Sequence, residues 1–224
     1  IKATKSFSKY LNKTYQHPVP GVVYYPTCIS RVMGGSVDGF INIIDTFISV
    51  SEKTGMDFII PNDIQGTCCG QIYSSKGFTD AYKYTVNNTV SKLWNWTKEG
   101  KLPVVLDITS CTHTLKECRP ALTDENKVKY DAIQIIDSVD YILDHLLPHA
   151  KILAKKDNIV LHPVCSLEKM GIENKFLKIA KQLSVKVTVP IHAGCCGMAG
   201  DRGFMFPELT ASATKPEADE VKES

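Results

Sequence analysis

Short apolar runs alternate with amphipathic stretches along this chain. Runs bounded by turn residues predict strands, and they lie at residues 21–25, 56–60, 102–108, 159–164 and 185–189. Apolar positions three and four residues apart predict helices, and these lie at residues 37–54 (with Ser36 as the N-cap), 78–99, 133–146 and 172–183. This alternation predicts parallel βαβ units and therefore an α/β fold with mostly parallel sheets.

Two parts of the sequence are similar and indicate an internal repeat. A Pro-x-Cys pattern ends at Cys28 and again at Cys165, and Cys-Cys-Gly occurs at residues 68–70 and 195–197. Each copy of each motif follows a predicted strand. We therefore predict two similar βαβ, Rossmann-like halves that are related by the repeat. The predicted halves are residues 1–150 and 151–224.

The second half is expected to be truncated at its C-terminus. In the first half, Cys111 follows Cys69 by 42 residues and comes after a further predicted strand. At the same offset from Cys196, the corresponding cysteine of the second half would lie beyond residue 224. We therefore expect a complete cysteine set in the first half and an incomplete set in the second.

Charge and hydropathy argue against two kinds of partner. The 26 basic and 24 acidic residues leave a net charge of +2, which gives no electrostatic footprint for nucleic acid. No apolar run approaches the roughly 20 residues of a transmembrane helix. The sequence also shows no secretory signal pattern. We therefore expect a cytoplasmic protein that binds no nucleic acid and has no transmembrane segment.

The eight cysteines are the unusual feature of the composition. Adjacent cysteines, as at residues 68–69 and 195–196, can bond to each other only with strain. A chain of this length also has its own core and needs no disulfides to fold. A metal or redox site is therefore favoured over a disulfide framework. The cysteines that follow a predicted strand are the candidate ligands: Cys28, Cys68, Cys69, Cys111, Cys165, Cys195 and Cys196.

In open α/β sheets, ligands bind beyond the carboxyl ends of the strands. If the three strands that precede Cys28, the 68–69 pair and Cys111 are neighbours, four thiolates converge at that edge. Four thiolates suit an iron–sulfur cluster, zinc or copper(I). Cys118 lies seven residues after Cys111 in a polar stretch and is a candidate fifth ligand.

Three histidines lie near cysteines in the sequence, namely His113, His162 and His192. Each is a candidate zinc ligand. Each could equally donate a hydrogen bond to cluster sulfur and so tune its reduction potential. A polar residue at the end of a strand is the third interpretation, and the sequence leaves all three open.

The two Cys-Cys-Gly copies resemble the cysteine-rich domain found in the B-subunit of heterodisulfide reductase and in the small subunit of anaerobic glycerol-3-phosphate dehydrogenase. The flanking residues are more similar still to the C-terminal region of bacterial FAD-linked D-lactate dehydrogenases. The stretches that carry this second resemblance are residues 66–71, 74–77, 194–204, 207–210 and 212–214. The similarity covers nearly the whole chain.

In that dehydrogenase family, a flavin domain oxidises D-lactate and the Cys-Cys-Gly region carries electrons toward a quinone or cytochrome acceptor. FAD is therefore expected in a flavin domain of the same polypeptide, because no flavin-binding region is visible here. This chain alone is expected to be inactive on lactate, and the family implies a location in the cytoplasm or peripheral at the inner membrane. The resemblance further implies one cluster, of the 4Fe–4S type, on Cys28, Cys68, Cys69 and Cys111, and a second on Cys165, Cys195 and Cys196.

Two other functions stay open from the sequence. One is a structural zinc-binding domain with Cys/His sites, and the other is a thiol–disulfide reductase of the heterodisulfide type. The reductase pattern closes with Cys-x-x-Cys, whereas six residues separate Cys111 and Cys118. This departure leaves the role of Cys118 open.

Overall fold

The predicted α/β class is confirmed by a computed structural model, which describes residues 10–11, 21–33 and 42–223. The chain divides into two compact units. Unit 1 comprises Ile1–Ser74 and Phe78–Ala150, and unit 2 comprises Ser75–Gly77 and Lys151–Ser224. Within the described ranges, no helix is both long enough and apolar enough to cross a membrane.

Unit 1 is built on a four-stranded parallel sheet. Its strands are β1 (Val22–Tyr25), β2 (Phe58–Ile59), β3 (Val104–Leu106) and β4 (Ile135–Asp137). They lie in the order β2-β1-β3-β4. The two central strands are apolar and buried along their whole length, as expected for a sheet covered on both faces. Because β2 and β3 lie on opposite sides of β1, the sheet has a topological switch point between β1 and β3, where such folds bind ligands.

Helices connect these strands. They are α1 (Cys28–Met33), α2 (Ile43–Lys53), α3 (Gln71–Ser75), α4 (Thr79–Trp96), α5 (Thr109–Lys116), α6 (Asp124–Ala132) and α7 (Ser138–Tyr141). The first turn of α2 is capped by Asn42, whose side chain accepts a hydrogen bond of 2.8 Å from the Asp45 amide. The predicted cap, Ser36, lies outside the described residues. On the inner side of α2, the Phe47 ring stacks on Tyr24 of the sheet at 4.2 Å between centroids.

The helix predicted over residues 133–146 is wrong in its first part. Residues 135–137 form β4, which pairs with β3, and the helical segment begins only at Ser138. A short buried apolar run fits a strand and a helix equally well, so pairing with β3 decided between them. α6 precedes β4 and was not predicted, because its low hydrophobicity leaves little apolar periodicity to detect.

Unit 2 contains a two-stranded parallel sheet of β5 (Lys156–Val160) and β6 (Ser184–Thr188). Its helices are α8 (Cys165–Met170), α9 (Glu173–Leu183), α10 (Arg202–Met205) and α11 (Pro207–Glu223). β5 begins and ends earlier than the predicted 159–164. α1 and α8 each begin at the cysteine of a Pro-x-Cys motif and each have six residues. The internal repeat itself stays a prediction.

Candidate metal centre

Four cysteines meet beyond the carboxyl end of the unit 1 sheet. Cys28 directly follows the turn after β1 and is the first residue of α1. Cys111 lies in the first turn of α5, just after β3. Cys68 and Cys69 come from the loop after β2 and precede α3. Because β1 and β3 are neighbours at the switch point, the sheet order brings the first and last of these residues together.

The four thiols form a continuous group, which we call the thiol cluster. The Cys68 side chain makes hydrogen-bond contacts with Cys28 and Cys69, and the Cys69 side chain also contacts Cys111. Cys69 and Cys111 are 3% and 5% exposed, whereas Cys28 and Cys68 are half-buried. The cluster is thus closed to solvent on one side and open on the other.

Hydrogen bonding divides the negative charge unequally over the thiol cluster. Hydrogen bonds with the Cys28 and Cys69 thiols and from the Gly70 amide lower the pKa of Cys68, which Arg31 lowers further. The hydrogen bond with Cys68 and burial raise the pKa of Cys28. Hydrogen bonds with Cys111 and Cys68, followed by burial, raise the pKa of Cys69. Without a bound cation, the cluster therefore favours a thiolate at Cys68 that accepts hydrogen bonds from the neutral thiols of Cys28 and Cys69.

The glycine of the Cys-Cys-Gly motif makes the turn that presents both sulfurs. Gly70 has a φ of +84°, and its amide donates a hydrogen bond of 3.4 Å to the Cys68 sulfur. A Cβ added at this position would lie 2.9 Å from the Tyr82 ring and 3.3 Å from a Val86 methyl group. A larger residue would therefore need both a strained backbone and movement of α4.

A buried carboxyl group anchors the loop that carries Cys28. Asp107 follows β3, and its side chain accepts hydrogen bonds of 3.0 Å from the Thr27 amide and 2.9 Å from the Tyr24 hydroxyl. Burial raises the pKa of Asp107 above its ordinary value of 3.8, and the hydrogen bonds from Thr27, Ser30 and Tyr24 oppose this only in part. Asp107 therefore holds the turn before Cys28. The free energy of burying this side chain is higher when the carboxyl is ionised.

We expect Asp107→Asn to change how stability depends on pH. A carboxyl with a raised pKa binds its proton more tightly in the folded state, so folding free energy is lost as pH rises from about 3.8 through the folded pKa. Asparagine keeps an acceptor for Thr27 and does not ionise. Urea unfolding of the cluster-free proteins gives their free energies of unfolding. The value for the parent, relative to that for the variant, should decrease as pH rises, by at most about 1.4 kcal/mol per pH unit. A difference that is constant between about pH 4 and pH 8 would contradict this.

Two further contacts hold the Cys-Cys-Gly turn against the helices around it. The Thr89 hydroxyl of α4 donates a hydrogen bond of 2.8 Å to the carbonyl oxygen of Cys68. The Thr114 hydroxyl of α5 lies within hydrogen-bonding distance of the Gln71 side-chain oxygen. Gln71 directly follows the turn and Thr114 lies one helical turn beyond Cys111, so this pair connects the two cysteine-bearing segments.

Arg31 is a residue of the site that the sequence analysis did not identify. It lies on α1, three residues after Cys28, and is half-buried. Its guanidinium donates hydrogen bonds to the carbonyl oxygens of Pro26, Ile64 and Thr67, at 3.0, 2.9 and 2.6 Å. The only sequence signal is a basic residue one helical turn after a candidate ligand, and that spacing does not show what the side chain reaches.

Cys118 and His113 lie on or beyond α5. Cys118 is fully buried, and burial raises its pKa to about 12. It comes after the C-terminus of α5, whereas Cys111 is near the N-terminus, so about 10 Å of helix axis separates them at 1.5 Å per residue. His113 is half-buried on the same helix. Whether either residue contributes to a metal site stays a prediction.

The remaining predicted ligands belong to unit 2. Cys165 and Cys195 are exposed, and Cys196 is half-buried. The nearby histidines pair with carboxylates on α11: His162 Nδ1 lies 2.6 Å from Glu217, and His192 Nδ1 lies 2.9 Å from Glu220. These pairs fix the orientation of both imidazole rings.

The donor set of unit 1 suits an iron–sulfur cluster. No group of three or more His, Cys, Asp or Glu side chains within residues 10–11, 21–33 and 42–223 is arranged to hold a single metal ion. The thiol cluster instead supplies four soft sulfur donors in one place, and four thiolates are the usual ligand complement of a [2Fe–2S] or [4Fe–4S] cluster. The residues present therefore fit that cofactor by number and chemistry.

Comparison with known proteins gives two findings. The CCG family, described as a cysteine-rich domain, matches residues 22–116 and 159–224, which include seven of the eight cysteines and leave out Cys118. The C-subunit of anaerobic glycerol-3-phosphate dehydrogenase, from Escherichia coli K12 and from E. coli O157:H7, is 28% identical over 141 residues. That alignment covers 61% of this chain and 35% of each relative, so the chain spans about a third of their length. Together the findings support an iron–sulfur electron-transfer role.

Proposed function

Because this chain belongs to the CCG cysteine-rich domain family, we propose that unit 1 binds one iron–sulfur cluster through Cys28, Cys68, Cys69 and Cys111. When bound, such a cluster takes up and releases one electron at a time. The role proposed for the chain is therefore to carry electrons between a dehydrogenase site and an acceptor. The residues proposed as ligands hold the cofactor, and the buried side of the thiol cluster shields it from water.

The observation that carries this proposal is an unbroken series of contacts among four thiols, from Cys28 through Cys68 and Cys69 to Cys111, at the switch point of a parallel sheet. Three separate segments of the chain supply these thiols, and the hydrogen bonds of Asp107, Thr89 and Arg31 hold these segments in place. A buried cysteine is more often simple core packing. Four cysteines in one group are not needed for packing, and their shared position beyond the strand ends is that of a ligand site.

The electron donor that we propose is a flavin domain of the same polypeptide, and the proposed acceptor is a quinone or a cytochrome. The relatives support a dehydrogenase partner, since they are subunits of a dehydrogenase. The flanking motifs at residues 194–204 and 207–210 favour D-lactate as the oxidised substrate of the whole protein. A 4Fe–4S type of cluster, a second cluster on Cys165, Cys195 and Cys196, and a cytoplasmic or membrane-peripheral location are further parts of this proposal.

Anaerobic reconstitution with iron and sulfide tests the proposal. We expect the chain to take up about four iron atoms and four sulfides at the unit 1 site, with a broad absorbance that bleaches on reduction by dithionite. Iron, sulfide and zinc should be measured per chain by elemental and colorimetric analysis. Tight binding of one zinc ion without sulfide, in place of iron, would instead establish the structural zinc domain.

A second assay separates electron transfer from disulfide reduction. The reduced, reconstituted chain should be reoxidised by a soluble quinone, and the visible absorbance should return. A mixed organic disulfide should not reoxidise it at a comparable rate. Faster reoxidation by the disulfide, with release of two thiols per disulfide, would favour the heterodisulfide type of reductase.

A further inference from the structure

Arg31 connects the two segments that carry Cys28 and Cys68. Its Nε donates a hydrogen bond to the Pro26 carbonyl in the turn before α1, which fixes the guanidinium next to the segment that carries Cys28. Its two terminal nitrogens reach the loop after β2, where they donate to the carbonyls of Ile64 and Thr67. Thr67 directly precedes Cys68, so Arg31 holds the backbone at the start of the Cys-Cys-Gly motif.

Arg31 is one of several contacts that hold the loop after β2, and it acts at the end of the loop nearest to Cys68. At its start, Asp63 accepts hydrogen bonds of 2.8 Å from Lys92 and 2.6 Å from Trp96, both on α4. At its end, the Thr67 amide and hydroxyl donate to the Ile64 carbonyl, and the Thr67 side chain also contacts Tyr25. Residues 62, 63, 65 and 66 are exposed, and Gly66 has a φ of +75° with no atom near its missing side chain. The Arg31 guanidinium donates two hydrogen bonds to Thr67 and one to Ile64, so one charged side chain links this end of the loop to α1.

The guanidinium of Arg31 lies between two cysteine-bearing segments and donates hydrogen bonds to neutral oxygens. Within the described ranges, the hydrogen bonds of its guanidinium go to neutral oxygens, and no acidic side chain pairs with it. One terminal nitrogen lies 2.6 Å from the carbonyl oxygen of Thr67, the residue bonded to Cys68, and α1 places Arg31 one helical turn after Cys28. The guanidinium therefore lies close to the two segments that carry these sulfurs. An arginine with neutral partners keeps its full positive charge available to a nearby anion.

We propose that Arg31 is a positioning residue that holds the Cys68 loop against α1 and that also supplies a positive charge close to the bound cluster. This inference rests on the proposed function, because the charge matters only if an anionic cofactor is bound. Four thiolates carry a net negative charge that each added electron increases, so Arg31 should favour the reduced state and raise the reduction potential. The backbone hydrogen bonds should slow loss of the cofactor.

The test compares Arg31→Met, Arg31→Lys and the control Arg119→Met in the full chain. Methionine keeps much of the length of the side chain but has neither charge nor donors, and lysine keeps the charge but not the planar set of donors. Arg119 is an exposed arginine that pairs with Asp131, so its replacement removes the same charge from another place. Three quantities are measured: the rate of iron loss to a chelator, the midpoint potential, and amide exchange at residues 64–68 in cluster-free protein.

We expect Arg31→Met to lose iron on the order of 10-fold faster than the parent, as when partners of metal ligands are removed. Its midpoint potential should be more negative, and residues 64–68 should exchange faster. Arg31→Lys should keep a potential close to that of the parent while it also loses iron faster. Arg119→Met should match the parent in all three measurements.

Each half of the inference can fail separately. Unchanged exchange at residues 64–68 in Arg31→Met would overturn the positioning role. An unchanged potential, or an equal shift in Arg119→Met, would overturn the role of the charge. If the parent takes up no iron at all, the proposed function fails and the role of the charge fails with it, while the exchange measurement still decides whether Arg31 holds the loop.

Discussion

Cys69→Ser is expected to remove about nine-tenths or more of the iron and sulfide that the parent binds, because a serine hydroxyl cannot replace a soft thiolate ligand. Cys69 is one of the two middle members of the thiol cluster, since its side chain contacts both Cys68 and Cys111. It is 3% exposed, so water cannot readily take the vacant coordination position. The measurement is iron and sulfide per chain after anaerobic reconstitution, with the visible absorbance as a second readout.

Cys118→Ser is the matched control for this prediction. Cys118 is also fully buried and lies in the same unit, so the substitution places an equal hydroxyl in an equally closed site. We expect this variant to retain its iron. Loss of iron in both variants, with unchanged far-ultraviolet circular dichroism, would make Cys118 a fifth ligand. Full retention of iron by Cys69→Ser would disprove the assignment of the ligands.

Gly70→Ala is expected to destabilise the cluster-free protein by about 2–5 kcal/mol. A left-handed backbone costs a residue with a side chain about 1–2 kcal/mol, and crowding in a packed region costs about 1–3 kcal/mol more. Both apply here, because φ is +84° and the new Cβ would lie 2.9 Å from the Tyr82 ring. Urea unfolding, followed by circular dichroism, measures the change in free energy of unfolding.

Gly66→Ala separates backbone strain from crowding. Gly66 lies in the same loop with a φ of +75°, but no atom lies within 4 Å of an added Cβ. Gly66→Ala should therefore lower the free energy of unfolding by only about 1–2 kcal/mol. Because Gly70 also orients the Cys68 sulfur, Gly70→Ala should lower iron uptake more than Gly66→Ala does. Equal losses of stability in the two variants would show that the contact with Tyr82 has no energetic role.

Local patterns in the sequence indicated most of the elements of unit 1 but not all. The all-apolar run at Val22–Tyr25 is a buried central strand, and the helix predicted from residue 78 begins at Thr79. The strand at Ile135–Asp137 was mistaken for part of a helix, because a buried run of this length has no periodicity that distinguishes the two. Pairing with β3 is a long-range contact, and no local pattern encodes it.

The sequence by itself determined that this is an α/β chain with cysteines at strand ends, because burial on both faces and the helical period are local properties of the residue order. Only the tertiary structure decided the strand order β2-β1-β3-β4, and with it the contacts that link Cys28 through Cys68 and Cys69 to Cys111. It also decided that Arg31 reaches the loop before Cys68, where it binds Thr67, a residue 36 positions away in the sequence. The physical reason is that periodicity specifies which face of an element is buried, whereas the partner of that face depends on contacts between distant segments.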